Sequence, residues 1–156
     1  MLGTAEKKLE EMGITLPPPA APIANYVSAV RTGNLLFLSG AGPALGPDGA
    51  MPRGRLGEDV SVEEGYKVAR SVGIVQIARL KDVLGDLDRV KQFVKLLTMV
   101  NSTADFTEQP AVANGCSDLL VEVFGDRGRH ARSAVGMSSL PGSIPVEIEI
   151  IVEVSD

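Results

Sequence analysis

The stretch Val146-Glu147-Ile148-Glu149-Ile150-Ile151-Val152-Glu153-Val154 alternates almost perfectly. Val146, Ile148, Ile150, Val152 and Val154 fall on one face; Glu147, Glu149 and Glu153 fall on the other, with Ile151 among them. A period of two over that length predicts a strand with one face in a core and one turned away from it. Just upstream, Ala131 to Pro141 is also strand-like, opening with Arg132 and ending at a proline that cannot donate to a ladder. An arginine opening one strand and carboxylates lining another is the one pairing in the chain suited to holding a small acidic substrate.

The core around that strand must be aliphatic. Hydrophobic residues make up 44% of the 156-residue chain but aromatics only 4%, which suits one domain built on Val, Leu, Ile and Ala. The net charge of −5 disfavours a nucleic-acid binder, which displays a basic face. Cys116 is the single cysteine, so no intramolecular disulfide forms, in keeping with a reducing compartment. Met1 to Glu11 is charged and lacks the apolar segment of a signal peptide. No apolar run is long enough for a membrane span. A cytoplasmic protein with no membrane partner is expected.

The elements follow from local signals. Thr4 to Met12 predicts a short helix, capped by Thr4 and ended by Gly13; Leu16 to Pro22 is then an extended, proline-rich arm. The expected organisation is an arm over 1–22 and a domain over 23–156. Tyr26 to Arg31 reads as a strand, Thr32-Gly33 as a turn, and Asn34 to Ser39 as a strand apolar throughout and so covered on both faces. Gly40 to Gly57 is a long Gly/Pro loop with Arg53 and Arg55, a mobile or functional segment. Ser61-Val62-Glu63-Glu64 is a capping box, and its helix should run to Leu84 with Gly85 as the stop. Arg70, Arg79 and Lys81 lie off its apolar stripe and read as solvated charge. A strand over Val90 to Val100 and a helix over Pro110 to Phe124, started by Asp105 and Glu108, complete the set.

Two strand–helix–strand units place both helices on one face of a mixed sheet. The other face is left apolar and bare, which argues for a homo-oligomer packed sheet to sheet.

Other chemistries find little support. One His and one Cys give no metal-ligand spacing. His130 is the only imidazole, and nothing in the sequence sets it beside Cys116 or a serine, so no triad is expected. Cys116 lies on an apolar helical stripe and reads as a buried thiol. Gly40-x-Gly42 lacks the rest of a dinucleotide fingerprint, and no phosphate loop is present. Arg132 is either a surface charge or a bidentate clamp for a carboxylate. Glu147 is either one of a solvated row or a carboxyl in a desolvated pocket that moves a proton.

Asn25-Tyr26-Val27, Gly33-Asn34 and Ser39-Gly40 near the start, with Ala131-Arg132-Ser133, Leu140-Pro141 and Val146-Glu147-Ile148-Glu149 near the end, resemble the RidA (YjgF-like) family of reactive-intermediate deaminases. Some members were formerly labelled L-PSP endoribonucleases or translation initiation inhibitors. The resemblance spans Ile23 to Val154 and implies a chorismate-mutase-like α+β fold and a homotrimeric barrel with clefts between subunits. It implies cofactor-independent hydrolysis of enamines and imines, such as 2-aminoacrylate, to 2-keto acids and ammonia. The family's essential arginine falls on Arg132, which would grip the substrate carboxylate, and its glutamate on Glu147, which would position water or pass a proton. Its cleft tyrosine, glycine and asparagine fall on Tyr26, Gly40 and Asn114. Two positions depart: Ala134 stands where the best-known members carry a cysteine, and Ala41 where typical deaminases carry a glutamine. Two other readings stay open: a non-catalytic module that binds a small carboxylate or keto acid, and an endoribonuclease.

Overall fold

The computed structural model describes residues 3–21 and 24–156. The expected boundary between arm and domain, at Pro22 and Ile23, lies outside the described residues. In chain order the elements are α1 (Thr4–Glu11), β1 (Ala29–Thr32), β2 (Leu35–Ala41), α2 (Val62–Leu84), β3 (Val90–Asn101), α3 (Gln109–Phe124), β4 (Ala131–Met137) and β5 (Val146–Val154). The strands form one sheet in the order β1-β2-β5-β3-β4. Only β3 and β4 run parallel; every other pairing is antiparallel. The chain is thus α+β, with the last strand inserted between β2 and β3.

The alternation of β5 explains its central place. Val146, Ile148, Ile150, Val152 and Val154 are all buried, in one cluster with Leu36 and Leu38 of β2, Phe93 and Leu96 of β3, and the apolar faces of α2 and α3. The opposite face has no cover. Across it Val30 pairs with Phe37, Phe37 with Ile151, Leu97 with Glu149, and Met99 with both Glu147 and Val135. Val30, Phe37 and Val135 remain 57%, 40% and 38% exposed. The reading of β2 as covered on both faces is therefore corrected. Leu36 and Leu38 point to the helices, while Phe37 points to the bare side, because α2 and α3 lie on one face.

Local signals set the helix ends. At the start of α2 the Glu64 N–H donates to Ser61 Oγ at 3.1 Å and the Ser61 N–H to Glu64 Oε2 at 2.8 Å. Its end falls at Gly85, where φ is +76°. α1 is capped differently from the sequence expectation. Gly3 holds the cap position, and the Thr4 and Ala5 N–H groups donate to the Asp88 carboxylate at 2.6 and 3.2 Å. These bonds hold the Asp88 carboxyl below the usual aspartate range. Ala5 and Leu9 are buried, so α1 is fastened to the body at both its cap and its apolar face. The hairpin loop is Gly33-Asn34, one residue later than expected, with Gly33 at φ +58°. α3 begins at Gln109 without a side-chain cap; Asp105 instead accepts from Thr103 Oγ1 at 2.7 Å. Pro110 in its first turn fits a position whose N–H has no helical partner.

The charges on α2 are not simply solvated. Arg70 pairs with Glu122 at 2.7 Å, and Lys81 with the buried Glu6 at 2.8 Å. Arg79 turns inward. The loop after β2 is also tied down: Leu56 is fully buried, its N–H donates to Asn101 O at 2.9 Å, and its carbonyl accepts from the Thr103 N–H at 3.0 Å.

α2 and α3 approach closely at glycines. A Cβ on Gly115 would overlap the carbonyl oxygen of Tyr66. Gly115→Ala should therefore push the helices apart and destabilise the fold by roughly 3 kcal/mol, against about 1 kcal/mol for the lost cap in Ser61→Ala. Urea midpoints at unchanged m-value would check the order; equal effects would mean the helices repack freely.

Candidate functional site

β2 does not pair evenly with β5. Leu38 faces Ile150 and Ala41 faces Ile148, so three steps on one strand match two on the other. This bulge frees the carbonyls of Ser39 and Gly40 from the ladder. Two side chains of α2 take them up. Gln76 Nε2 donates to Ser39 O at 3.0 Å and to Ile148 O at 2.7 Å. Arg79 Nη1 donates to Ser39 O at 3.0 Å and Gly40 O at 3.2 Å.

The bulge brings Gly40 against Glu147. A Cβ at position 40 would stand 3.1 Å from Glu147 Cδ, so only glycine leaves the carboxyl room. Glu147 is half-buried on the uncovered face. Burial raises its carboxyl above the usual glutamate range, and Glu149 adds to this; Arg79 opposes it. Burial in turn lowers the Arg79 guanidinium, against which Tyr26 and Glu147 act. Tyr26, Gly40, Arg79 and Glu147 thus form one group, with Tyr26 exposed at its rim.

Arg132 belongs to a second group. It stands across from Leu96 on β4, the edge strand, and so faces the helices. Nη1 donates to Asn114 Oδ1 at 2.9 Å and to Ser117 Oγ at 3.0 Å; Nη2 donates to Pro110 O at 3.3 Å. Nε has no partner among the described residues, so one edge of the guanidinium stays open for a carboxylate. Ser117 Oγ lies 2.9 Å from His130 Nε2, and His130 Nδ1 lies 2.7 Å from Gly128 O.

The expected site residues therefore fall into two sets: Tyr26, Gly40 and Glu147 in one, Asn114 and Arg132 in the other. One chain does not bring the sets together. Glu147 and Arg132 lie on opposite faces, two strands apart across β3, about 10 Å by strand spacing alone. Three further expectations are settled. Arg79 is bonded to backbone beside Glu147 rather than solvated, because the bulge leaves carbonyls that need its donors. His130 does sit beside a serine, because β4 pairs parallel to β3 and folds the loop before it onto α3. Cys116 is buried and its thiol is pushed up to about 12, chiefly by desolvation. A polar Gln76 within an apolar stripe was a legible sign of a buried tie; nothing in the spacing of Ser117 and His130 signals their contact.

One acidic cluster has ligand-like spacing among the described residues, with Glu6, Asp86 and Asp88 oxygens within 4.8 Å of one another. Its oxygens serve the protein: they accept from Thr4, Ala5 and Leu87 N–H groups and from Lys81. No helix among those residues is long and apolar enough to cross a membrane.

A mixed five-stranded sheet with helices on one face, a glycine bulge under a half-buried glutamate and an edge arginine with an open fork define an α+β protein with a split polar site. The chain belongs to the RidA (YjgF-like) family: residues 6–148 match the family described as "YjgF/chorismate mutase-like, putative endoribonuclease". It is similar to protein TCP17 of Trypanosoma cruzi, at 46% identity over 99% of this chain and 96% of that one. It is 33% identical to the 2-iminobutanoate/2-iminopropanoate deaminase of Escherichia coli, over 85% of this chain and 89% of that one. Among solved structures, Atu1372 of Agrobacterium tumefaciens, of unknown function, matches with a TM-score of 0.88 at 41% identity, over 97% of this chain and 94% of that one.

A carboxyl raised by folding favours the native state below the ordinary glutamate range and loses that contribution as pH rises through its folded value. Glu147→Gln should therefore match the wild type in stability below about pH 4 and exceed it at pH 8, by denaturant midpoint. Arg79→Gln keeps a donor for the Ser39 and Gly40 carbonyls but removes the charge, so carbon-13 NMR should show Glu147 titrating higher still. A downward move would break the assigned contact.

Proposed function

We propose that this chain is a hydrolytic deaminase of small imines and enamines that carry a carboxylate, and that its site is completed between copies of the chain. The observation that carries the reading is the split itself. Arg132 has an oriented fork with one edge open, and Glu147 is a half-buried carboxyl with raised proton affinity, yet one chain keeps them on opposite faces of the sheet. A second copy laid against the bare face offers Glu147 to a neighbour's edge strand. The apolar residues Val30, Phe37 and Val135 are the surface such a copy would cover, and a ring of three matches the family's assembly.

Arg132 holds the substrate carboxylate with Nε and Nη2, while Asn114, Ser117 and the Pro110 carbonyl keep the guanidinium from turning. Glu147, whose proton affinity burial raises, delivers a proton to the imine nitrogen as water adds to the adjoining carbon. The carboxylate so formed takes a proton back from the added water. The carbinolamine then collapses: the reprotonated Glu147 carboxyl gives its proton to the amino nitrogen, the carbon–nitrogen bond breaks, ammonia leaves, and the hydroxyl proton returns to the carboxylate as the 2-keto acid forms. Gly40 gives the carboxyl room, and Arg79 opposes the upward push that burial gives its proton affinity. Ala134 gives the site no thiol beside Arg132, so water is positioned by Glu147 alone. The deaminase name of the Escherichia coli relative supports this chemistry. The endoribonuclease name in the family description finds less support in a chain of net charge −5.

A dehydratase that releases 2-aminoacrylate from serine, coupled to keto-acid detection, tests the reaction. Wild type should speed pyruvate release, and Arg132→Ala should abolish the effect, losing about 1.5–3 kcal/mol of carboxylate binding. Ligand binding without turnover would favour the non-catalytic reading. Refolding Arg132→Ala together with Glu147→Gln should restore activity in about a quarter of the sites, since each site draws one residue from each of two randomly assorted chains. No recovery would mean that the two residues do not meet across an interface.

A further inference from the structure

Arg132 terminates a line of hydrogen bonds that runs away from the sheet edge. Its Nη1 donates to Ser117 Oγ at 3.0 Å, Ser117 Oγ lies 2.9 Å from His130 Nε2, and His130 Nδ1 lies 2.7 Å from the Gly128 carbonyl. The ends of the line fix two of its three directions and favour one for the third. A carbonyl only accepts, so Nδ1 carries hydrogen. A guanidinium only donates, so Ser117 Oγ accepts from it and turns its own hydrogen towards Nε2. Within this line, a neutral imidazole protonated on Nδ1 is the form that gives the Ser117 hydroxyl hydrogen an acceptor in Nε2 and keeps a second cation off its oxygen.

A hydroxyl against an imidazole has the form of a nucleophile pair. Here it works differently. Ser117 lies in the interior of α3, where the neighbouring backbone N–H groups are used by the helix ladder rather than offered to an oxyanion. Its oxygen is already engaged by a cation.

We propose that His130, acting through Ser117, is a positioning residue that holds the Arg132 fork ready for ligand and lets it go when the imidazole is protonated. The inference rests on the reading of Arg132 as the carboxylate anchor. A proton on Nε2 removes the acceptor of the Ser117 hydroxyl and sets two cations against one oxygen. The surrounding charges favour the neutral form. Arg132 on β4 and Arg129 just before it share a surface recess of about 300 Å³ with His130 and Asp118. Asp118 accepts from the Tyr66 hydroxyl at 2.8 Å, and Lys95 of β3 turns to Ser133 Oγ at 3.2 Å. Burial is the main cause that keeps His130 below the ordinary histidine range, with Arg132 adding to it and the Gly128 carbonyl opposing. Release of the fork therefore belongs to mildly acid pH.

His130 is the only histidine, so its nitrogen-15 signals need no assignment. At pH 7.5 the Nδ1–H tautomer is expected, with a titration midpoint below about 6.5. The Arg132 Nε–H signal should broaden as His130 titrates, and should not do so in His130→Gln, whose amide oxygen accepts from Ser117 but takes no proton. Calorimetry with 2-oxobutanoate should show wild-type affinity falling with that titration. His130→Gln should bind within about threefold of wild type at pH 7.5 without the acid loss, and His130→Ala should bind about fivefold more weakly throughout. An Nε2–H tautomer, an Arg132 signal indifferent to His130, or an acid loss that survives in His130→Gln overturns the proposal even where deamination stands. If the coupling is seen but no keto acid binds at any pH, the anchor reading fails and the positioning stands.

Discussion

The amide of Gln76 joins the carbonyls of Ser39 and Ile148, and most of what matters in this fold depends on that tie. It lies in the buried core, where a donor left unmade would cost more than the bond returns. By satisfying the carbonyl that the β2 bulge releases, Gln76 allows β2 to leave its register beside β5 without an orphaned group. The bulge in turn places Gly40 under Glu147 and gives Arg79 two carbonyls to hold. A regular strand would commit those carbonyls to the ladders on its two edges and leave none for Gln76 and Arg79 to hold.

The second constraint is one of coverage. Two helices suffice for one face of five strands, and β5 must bury its valines and isoleucines there. Its glutamates are thereby committed to the other face, together with Phe37, Leu97 and Met99. A polar row and an apolar patch therefore share one open surface, the kind of patch that marks an interaction site. The same geometry divides the polar groups into a glutamate set on the bare face and an arginine set at the β4 edge. The glutamate set and the exposed apolar residues thus lie on the same surface.

Much of this was legible in the sequence. The alternation of Val146 to Val154, the capping box at Ser61 and the glycine stop at Gly85 are local codes, and each element appears where its code ends. Arg132 and Glu147 stood out as candidates through the family resemblance, since by spacing alone each reads equally well as a surface charge. Other features were not. β2 looked doubly covered, since a run of leucines does not say which neighbour buries each one. Arg79 looked solvated, since a helical wheel cannot show that two carbonyls on another element lack partners. His130 and Ser117 lie 13 residues apart on different elements, and no spacing rule joins them.

Taken alone, the sequence determined the elements, their faces and the residue types able to grip a carboxylate, because these depend on neighbours within a few positions. Only the tertiary structure decided that Glu147 and Arg132 stand on opposite faces, that Arg79 and Gln76 serve the bulge, and that Ser117 and His130 stand in line with the arginine. Those facts depend on strand order and register, set by which surfaces the whole chain can bury at once.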